Sequence, residues 1–192
     1  MKKTRLILFA SGSGTNAENI IRYFEHHPWI EVCGVYCNKA DAGVIQRVEP
    51  YSVPTRVFKP SELRDGVVLQ ELADQEIDYI VLAGFLLLIP TEFVRAFPDR
   101  IINIHPALLP KYGGKGMYGM HVHEAVVAAG ETESGITIHL VNEHYDEGES
   151  LFKAHVPLEK TDTPQDVAGR IHELEYRFFP KVIERYIRFG KS

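Results

Sequence analysis

Hydrophobic and polar positions along this chain follow two periods, one typical of strands and the other of helices. Apolar residues form short, nearly continuous runs at 5–10, 32–37, 78–83 and 101–104, and they recur at helical spacing across 17–24, 42–48, 61–72, 93–97 and 121–129. Unbroken apolar runs of this length are typical of strands buried on both faces. Strands that alternate with helices in this way predict an α/β protein.

The C-terminal third follows a different pattern. Residues 134–141 alternate as a half-exposed strand should, and 151–156 are expected to pair with them. Thr163 followed by Pro164 is typical of a helix N-terminus, and the apolar stripe behind it predicts a long amphipathic helix bent at Pro180. We expect His172, Glu173 and Glu175 on its exposed face. No repeat or linker divides the chain, so one domain over residues 1–192 is expected.

Composition narrows the class of protein. The chain has 192 residues, 45% of them hydrophobic and 24% charged, as in an ordinary soluble globular protein. A net charge of -5 argues against broad binding to nucleic acid. The apolar run at 6–10 is too short for a signal peptide, and no run is long enough to cross a membrane. Cys33 and Cys37 lie about 13 Å apart in one predicted strand, beyond disulfide reach, and free thiols indicate the cytoplasm.

Two polar residues stand at the end of the apolar run that Pro106 terminates. Asn103 and His105 are two positions apart, so their side chains share one face of the strand. An amide and an imidazole that titrates near neutral pH are suited to stabilising a developing oxyanion. The alternative, that both satisfy backbone groups at a strand end, is equally compatible with these residues alone.

A glycine-rich segment, residues 11–16, joins the first predicted strand to the first helix. Backbone N–H groups and the helix dipole favour a phosphate at such a turn, although a tight turn with ordinary capping is the alternative. The spacing Gly12-x-Gly14-x-x-Ala17 also fits a dinucleotide fingerprint. That motif expects an acidic residue after the second strand, where this chain has Asn38 and Lys39 instead.

Four further segments have open interpretations. The apolar run 84–90 fits either a wall for a flat aromatic ligand or plain core, and the glycine-rich loop 111–119 fits a lid. Asp146 fits a general base, a partner for a histidine or a solvated turn carboxylate. His121 and His123 invite a metal site, but their spacing on a helix diverges and we expect no metal.

Several of these motifs together resemble a known family. Residues 11–16, 82–85 and 103–110, with the later Asp146-x-Gly148, are similar to phosphoribosylglycinamide formyltransferases of the folate-dependent formyltransferase superfamily. The resemblance covers nearly the whole chain. It implies a doubly wound, mostly parallel α/β sheet with helices on both faces, a Rossmann-like formyltransferase fold. It also implies formyl transfer from 10-formyltetrahydrofolate to the amine of glycinamide ribonucleotide in purine synthesis.

The same resemblance implies site residues. The catalytic positions are Asn103, His105 and Asp146; the substrate-binding positions are Gly14, Thr15, Asn16, His172 and Glu175; the folate-binding positions are Leu86, Leu87, Leu88, Ile89, Asn103, Asn142, Tyr145 and Asp146, with Arg64 a weaker match. Asp146 is expected to raise the pKa of His105, which acts in its protonated form, and no metal is required. The partners expected are small molecules, with no nucleic acid or membrane, and a monomer or homodimer in the cytoplasm.

Two departures from the family pattern accompany this resemblance. Many relatives carry Met-Arg where this chain has Leu86-Leu87, and the loop 113–119 is longer than the usual Pro-Gly turn. Within the superfamily, a methionyl-tRNA formyltransferase would need a second basic domain after the last helix. The remaining alternatives are a formyltetrahydrofolate hydrolase, which usually bears an N-terminal regulatory domain, and a non-catalytic nucleotide-binding regulator.

Overall fold

The fold was obtained as a computed structural model that describes residues 2–190. Its strands are β1 Thr4–Ala10, β2 Ile30–Cys37, β3 Thr55–Val57, β4 Tyr79–Leu82, β5 Ile101–His105, β6 Glu133–Leu140 and β7 Ser150–Pro157. Its helices are α1 Thr15–Phe24, α2 Gly43–Val48, α3 Pro60–Arg64, α4 Val67–Asp74, α5 Thr91–Ala96, α6 Met120–Ala128 and α7 Pro164–Phe189, with one 3₁₀ turn at Glu49–Tyr51. Across 2–190, no helix combines the length and apolar character that a membrane crossing needs.

The seven strands form one mostly parallel sheet in the order β3-β2-β1-β4-β5-β6-β7. Strand β1 pairs in parallel with both β2 and β4, and β2 pairs in parallel with β3. The last strand, β7, runs antiparallel to β6, with Ile136 opposite Ala154. The predicted mostly parallel α/β fold is confirmed.

Packing divides the chain into two compact units, Met1–Ile102 and Asn103–Ser192. Residues 1, 191 and 192 lie outside the described part of the chain. In the first unit, Leu6 to Ala10 of β1 are fully buried, as the apolar run predicts. Phe9 packs edge-on against Phe85 at 5.2 Å between ring centroids and stacks on Tyr36 at 5.6 Å. Such pairs add about 1 kcal/mol each beyond area burial, which anchors the strand ends that carry the loops.

The helical stretch 61–72 is broken at Gly66, as the sequence predicts. Gly66 has a φ of 81° and lies between α3 and α4. A residue with a left-handed φ interrupts an α-helix, and glycine adopts this conformation without the steric cost that other residues incur. The break therefore falls at Gly66.

In the second unit, the prediction that 134–141 form a half-exposed strand is wrong. Every residue of β6 from Ser134 to Leu140 is buried. The polar side chain of Thr137 is buried with partners inside the unit: its hydroxyl donates to the Ala107 carbonyl at 2.8 Å and accepts from the Leu109 N–H at 3.0 Å. The polarity of Thr137 therefore reflects internal hydrogen bonding and not a face in water.

Helix α7 begins as predicted, with Thr163 and Asp166 forming a reciprocal capping box. It continues through Pro180 as one helix to Phe189. The prediction that Glu175 is exposed is wrong, because it is only 6% exposed. Glu175 lies four residues from Ile171 and from Phe179, and this spacing places it in the buried stripe.

Candidate active site

The glycine-rich segment 11–16 leads into α1, and Gly14 is the residue before that helix. Gly14 has a φ of 78°, and a Cβ there would approach Val44 of α2 to 2.5–2.6 Å. A side chain is excluded on both grounds. Gly14 has no side chain to cap α1, and the N–H groups at the start of a helix favour an anion.

Helix α2 and the turn after it brace this loop. The Arg47 guanidinium donates to the Ser13 carbonyl at 2.7 Å and to the Glu18 carboxylate at 2.9 Å. The Tyr51 hydroxyl donates to the other Glu18 oxygen at 2.9 Å. The hydrogen bond from Arg47 and that from Tyr51 lower the pKa of Glu18. Sequence reasoning missed Arg47, because nothing local marks a basic residue 34 positions away as a partner of the loop.

Ser11 connects the start of the loop to two neighbouring strand ends. Its hydroxyl donates to the Asn38 side chain at 2.6 Å and accepts from the Leu86 N–H at 3.0 Å. Its own N–H donates to the Gly84 carbonyl at 3.0 Å. Asn38, found where a dinucleotide-binding chain would carry an acid, therefore has a structural partner in the loop.

The apolar run after β4 is partly exposed. Leu86 is 39% exposed and Leu88 45%, whereas Ile89 is 3% exposed. Plain core is therefore wrong for Leu86 and Leu88, and an apolar binding wall fits them. Arg64 lies on α3 with its guanidinium 3.2 Å from Asp65 and its side chain 73% exposed. Its contact with folate stays a prediction.

In the second unit, the side chains of Asn103, His105 and Asp146 gather around His139. We call these four residues the imidazole–carboxylate cluster. Asp146 Oδ2 lies 3.5 Å from His105 Nδ1, and Asp146 Oδ1 lies 3.6 Å from His139 Nε2. The Asn103 amide nitrogen lies 3.1 Å from His139 Nε2. The turn carboxylate thus reaches both imidazoles, and the reading of Asp146 as solvated is wrong, since its side chain is 11% exposed.

His139 orients the Asn103 amide. Its Nδ1 lies 2.9 Å from the Leu140 carbonyl, which can only accept, so Nδ1 carries the proton. Nε2 faces the Asn103 amide nitrogen at 3.1 Å and Asp146 Oδ1 at 3.6 Å. Since the amide carries two N–H groups, at least one of them is left to donate elsewhere. Sequence reasoning missed His139, whose only signal was a polar residue in strand β6.

Burial and charge act in opposite directions on His105. Burial lowers the pKa of His105, while the Asp146 charge and the Tyr112 carbonyl act to raise it, and the net direction is downward. The expected influence of Asp146 is present but does not outweigh burial. For Asp146, burial raises the pKa, but His139, His105 and the Gly114 N–H together hold it below its ordinary value. The carboxylate is therefore charged at neutral pH.

The glycine-rich loop 111–119 packs against this cluster. The Tyr112 carbonyl accepts from His105 Nε2 at 2.7 Å, and the Gly114 N–H donates to Asp146 Oδ2 at 2.9 Å. A Cβ on Gly113 would approach Asp146 Cβ to 3.3 Å and collide with the Leu109 side chain. A side chain at this point would require the Leu109 side chain to move and Asp146 to shift by a few tenths of an ångström.

The remaining predicted residues lie on α7 and in the turn before β7. His172 is exposed and stacks with Tyr176 at 6.2 Å, while Glu175 is buried. Asn142 accepts from the His144 N–H at 2.9 Å, and Tyr145 is 39% exposed. No cluster of potential metal ligands was found among residues 2–190.

Comparison with known proteins identifies the family. The Formyl transferase family model matches residues 4–183. The chloroplastic phosphoribosylglycinamide formyltransferase of Arabidopsis thaliana is 40% identical over 189 residues, 95% of this chain and 65% of that protein. The Bacillus subtilis phosphoribosylglycinamide formyltransferase is 32% identical over 193 residues, 97% of this chain and 95% of that protein.

A solved structure gives the same result. The phosphoribosylglycinamide formyltransferase from Streptococcus pneumoniae TIGR4 aligns with a TM-score of 0.84 at 32% identity, covering 97% of this chain and 99% of that chain. This chain spans 65% of the length of the plant relative and nearly all of the two bacterial ones. With a family model matched from β1 into α7, the chain belongs to the formyl transferase family.

Proposed function

We propose that this chain is a phosphoribosylglycinamide formyltransferase, which moves the formyl group of 10-formyltetrahydrofolate to the amine of glycinamide ribonucleotide in purine synthesis. The observation that carries the proposal is the imidazole–carboxylate cluster, in which Asp146 lies within 3.6 Å of two imidazoles. Binding alone would not require such an arrangement. One domain, a cytoplasmic location and a monomer or homodimer stay predictions.

The ribonucleotide phosphate is assigned to the first turn of α1. Gly14, Thr15 and Asn16 present backbone N–H groups there, and Arg47 adds positive charge beside the loop. In the second unit, Glu175 and His172 are assigned to the ribose. A carboxylate suits vicinal hydroxyls because it accepts from both.

We assign the folate to the apolar segment 86–89. Leu86 and Leu88 expose side chains to contact a flat ring, and the segment 86–89 lies outside regular helix and strand, so its backbone groups can recognise ring edges. Asn142, Tyr145 and, more weakly, Arg64 are further candidates. When bound, the folate supplies the formyl carbon.

The chemistry forms a C–N bond at the ribonucleotide amine and breaks one at the folate. Asn103 donates its second N–H to the formyl oxygen as negative charge develops there, and His105 in its protonated form places positive charge nearby. Asp146 favours that protonated form and accepts the proton lost by the amine, directly or through water. The proton lost by the amine is passed on to the leaving nitrogen of the folate, so the reaction balances in protons and requires no metal.

The decisive assay follows tetrahydrofolate release and formylated ribonucleotide in parallel. We expect release only when glycinamide ribonucleotide is present, with the two products in equal amounts. Equal release without the ribonucleotide would instead identify a formyltetrahydrofolate hydrolase. Ribonucleotide binding without turnover would identify a non-catalytic regulator.

A further inference from the structure

We propose that Glu131 and the Tyr112 hydroxyl form a latch that positions His105 through the backbone of the loop 111–119. Glu131 and Tyr112 are therefore positioning residues, which act on the imidazole–carboxylate cluster from outside it. The inference deepens the proposed function and rests on it only for the kinetic measurements below.

The latch consists of one carboxylate oxygen with two donors. Glu131 Oε1 accepts from the Tyr112 hydroxyl at 2.8 Å and from Lys111 Nζ at 2.8 Å. The Glu131 side chain is 23% exposed, whereas that of Lys111 is 68% exposed. The tyrosine bond is therefore the better shielded of the two, and the lysine pair is a surface ion pair of small net value.

Tyr112 needs such an anchor because of its backbone conformation. Its φ is 57°, in the left-handed region that residues with a side chain rarely adopt. A conformation of this kind persists only where surrounding contacts hold it. The hydroxyl contact with Glu131 holds the side chain of the residue whose carbonyl is directed at His105.

That carbonyl determines the state of the imidazole. Because the Tyr112 carbonyl can only accept, His105 Nε2 carries a proton in their 2.7 Å contact. Nδ1 then faces Asp146 at 3.5 Å, and a second proton on the ring would lie between Nδ1 and the carboxylate. With the carbonyl in place, both nitrogens have a partner that favours the cationic ring. Without it, burial acts on the ring with Asp146 as its only counterweight.

The loop also contacts the carboxylate, so the latch acts at two points. Gly114, two residues after Tyr112, donates its N–H to Asp146 Oδ2 at 2.9 Å. Displacing Tyr112 shifts this donor too, because only Gly113 separates them. Release of the latch is therefore expected to loosen both members of the His105–Asp146 pair.

The test compares variants of the full chain by histidine ¹⁵N NMR and steady-state kinetics. Tyr112→Phe removes only the hydroxyl, and Tyr118→Phe is the matched control in the same loop, where the tyrosine is 47% exposed. We expect Tyr112→Phe to move the His105 ring signals away from the Nε2-protonated form. It should also lower kcat by about tenfold, the effect of losing one hydrogen bond to a charged group. KM for both substrates should stay within about twofold, because binding of neither substrate is assigned to this residue.

A second pair of variants removes the other half of the latch. Glu131→Leu should reproduce the NMR change and the loss in kcat, and Glu131→Gln should restore most of both, because its side-chain oxygen still accepts from Tyr112. His105 signals that do not change in Tyr112→Phe overturn the inference, whatever happens to the melting temperature. The same holds if Tyr118→Phe has an equal effect. If the wild-type chain transfers no formyl group, the proposed function fails, and the NMR comparison alone still decides the latch.

Discussion

Replacing Asp146 with Asn tests the proposed chemistry most directly. The variant keeps the size of the side chain and removes its charge. In the wild type, the carboxylate lies 3.5 Å from His105 Nδ1, with 5% of the His105 side chain and 11% of the Asp146 side chain exposed. Two unit charges at that separation attract by about 5 kcal/mol at an effective dielectric constant of about 20.

Only part of that attraction is available to catalysis. Burial lowers the pKa of His105 against the pull of Asp146, so the ring is not fully charged before the reaction begins. If about 3 kcal/mol of the attraction appears in the transition state, Asp146→Asn lowers kcat by roughly 10²-fold. His105 should also titrate at a lower pH, since the group that raises its pKa has been neutralised.

The assay measures kcat from pH 5 to 9 together with the NMR titration of His105. Glu147→Gln is the matched control, because Glu147 is an exposed carboxylate in the same turn. It should leave both quantities unchanged. A near-normal kcat in Asp146→Asn, or an unmoved His105 titration, would refute the role assigned to the carboxylate.

Three further predictions concern the loop, the apolar run and a buried histidine. Gly14→Ala should destabilise the fold by about 2 kcal/mol and raise KM for the ribonucleotide, whereas Gly12→Ala, whose Cβ meets nothing within 4 Å, should change the unfolding free energy by less than about 0.5 kcal/mol. Leu88→Ser should raise KM for the folate by roughly fivefold in initial-rate kinetics, and Val67→Ser, at an equal 45% exposure on α4, should not. Burial lowers the pKa of His123 to about 4, so on going from pH 7 to pH 5 the unfolded chain takes up a proton that the folded chain does not. The wild type should therefore lose about 2 kcal/mol more than His123→Leu in urea unfolding over that range, and equal losses would contradict this account.

Local patterns predicted the elements well where one physical cause dominated. The run from Leu6 to Ala10 is apolar because both faces of β1 are covered, and the Thr163-Pro164 pair starts α7 through local capping. Burial of β6 was not predictable in the same way. Thr137 looks like a solvent-facing residue until its two backbone partners, about 30 positions away, are known.

The same distinction, between features set by local sequence and features set by distant partners, applies to the candidate site. Asn103 and His105 were identifiable because strand geometry puts them on one face. Asp146 had three interpretations from its residue type, and the resemblance selected the catalytic one. Its distance to His105 could not be derived, because it depends on how the turn after β6 folds. His139 and Tyr112 were not predicted. His139 acts through its position in a buried strand, and Tyr112 acts through a backbone carbonyl, which every residue possesses.

The three hydrogen bonds of Ser11 have a thermodynamic consequence. One residue joins the segment assigned to phosphate with the segment assigned to folate, through the Leu86 N–H and the Gly84 carbonyl. When one substrate orders its segment, the other segment, which is hydrogen-bonded to the same serine, loses part of its conformational entropy as well. The second substrate then has less entropy to overcome, so the two substrates should bind with a favourable coupling free energy. By reciprocity, each should tighten the other by the same factor in calorimetry, and Ser11→Ala should bring that factor towards one. A serine that touches neither reacting atom would then set how strongly each substrate promotes binding of the other.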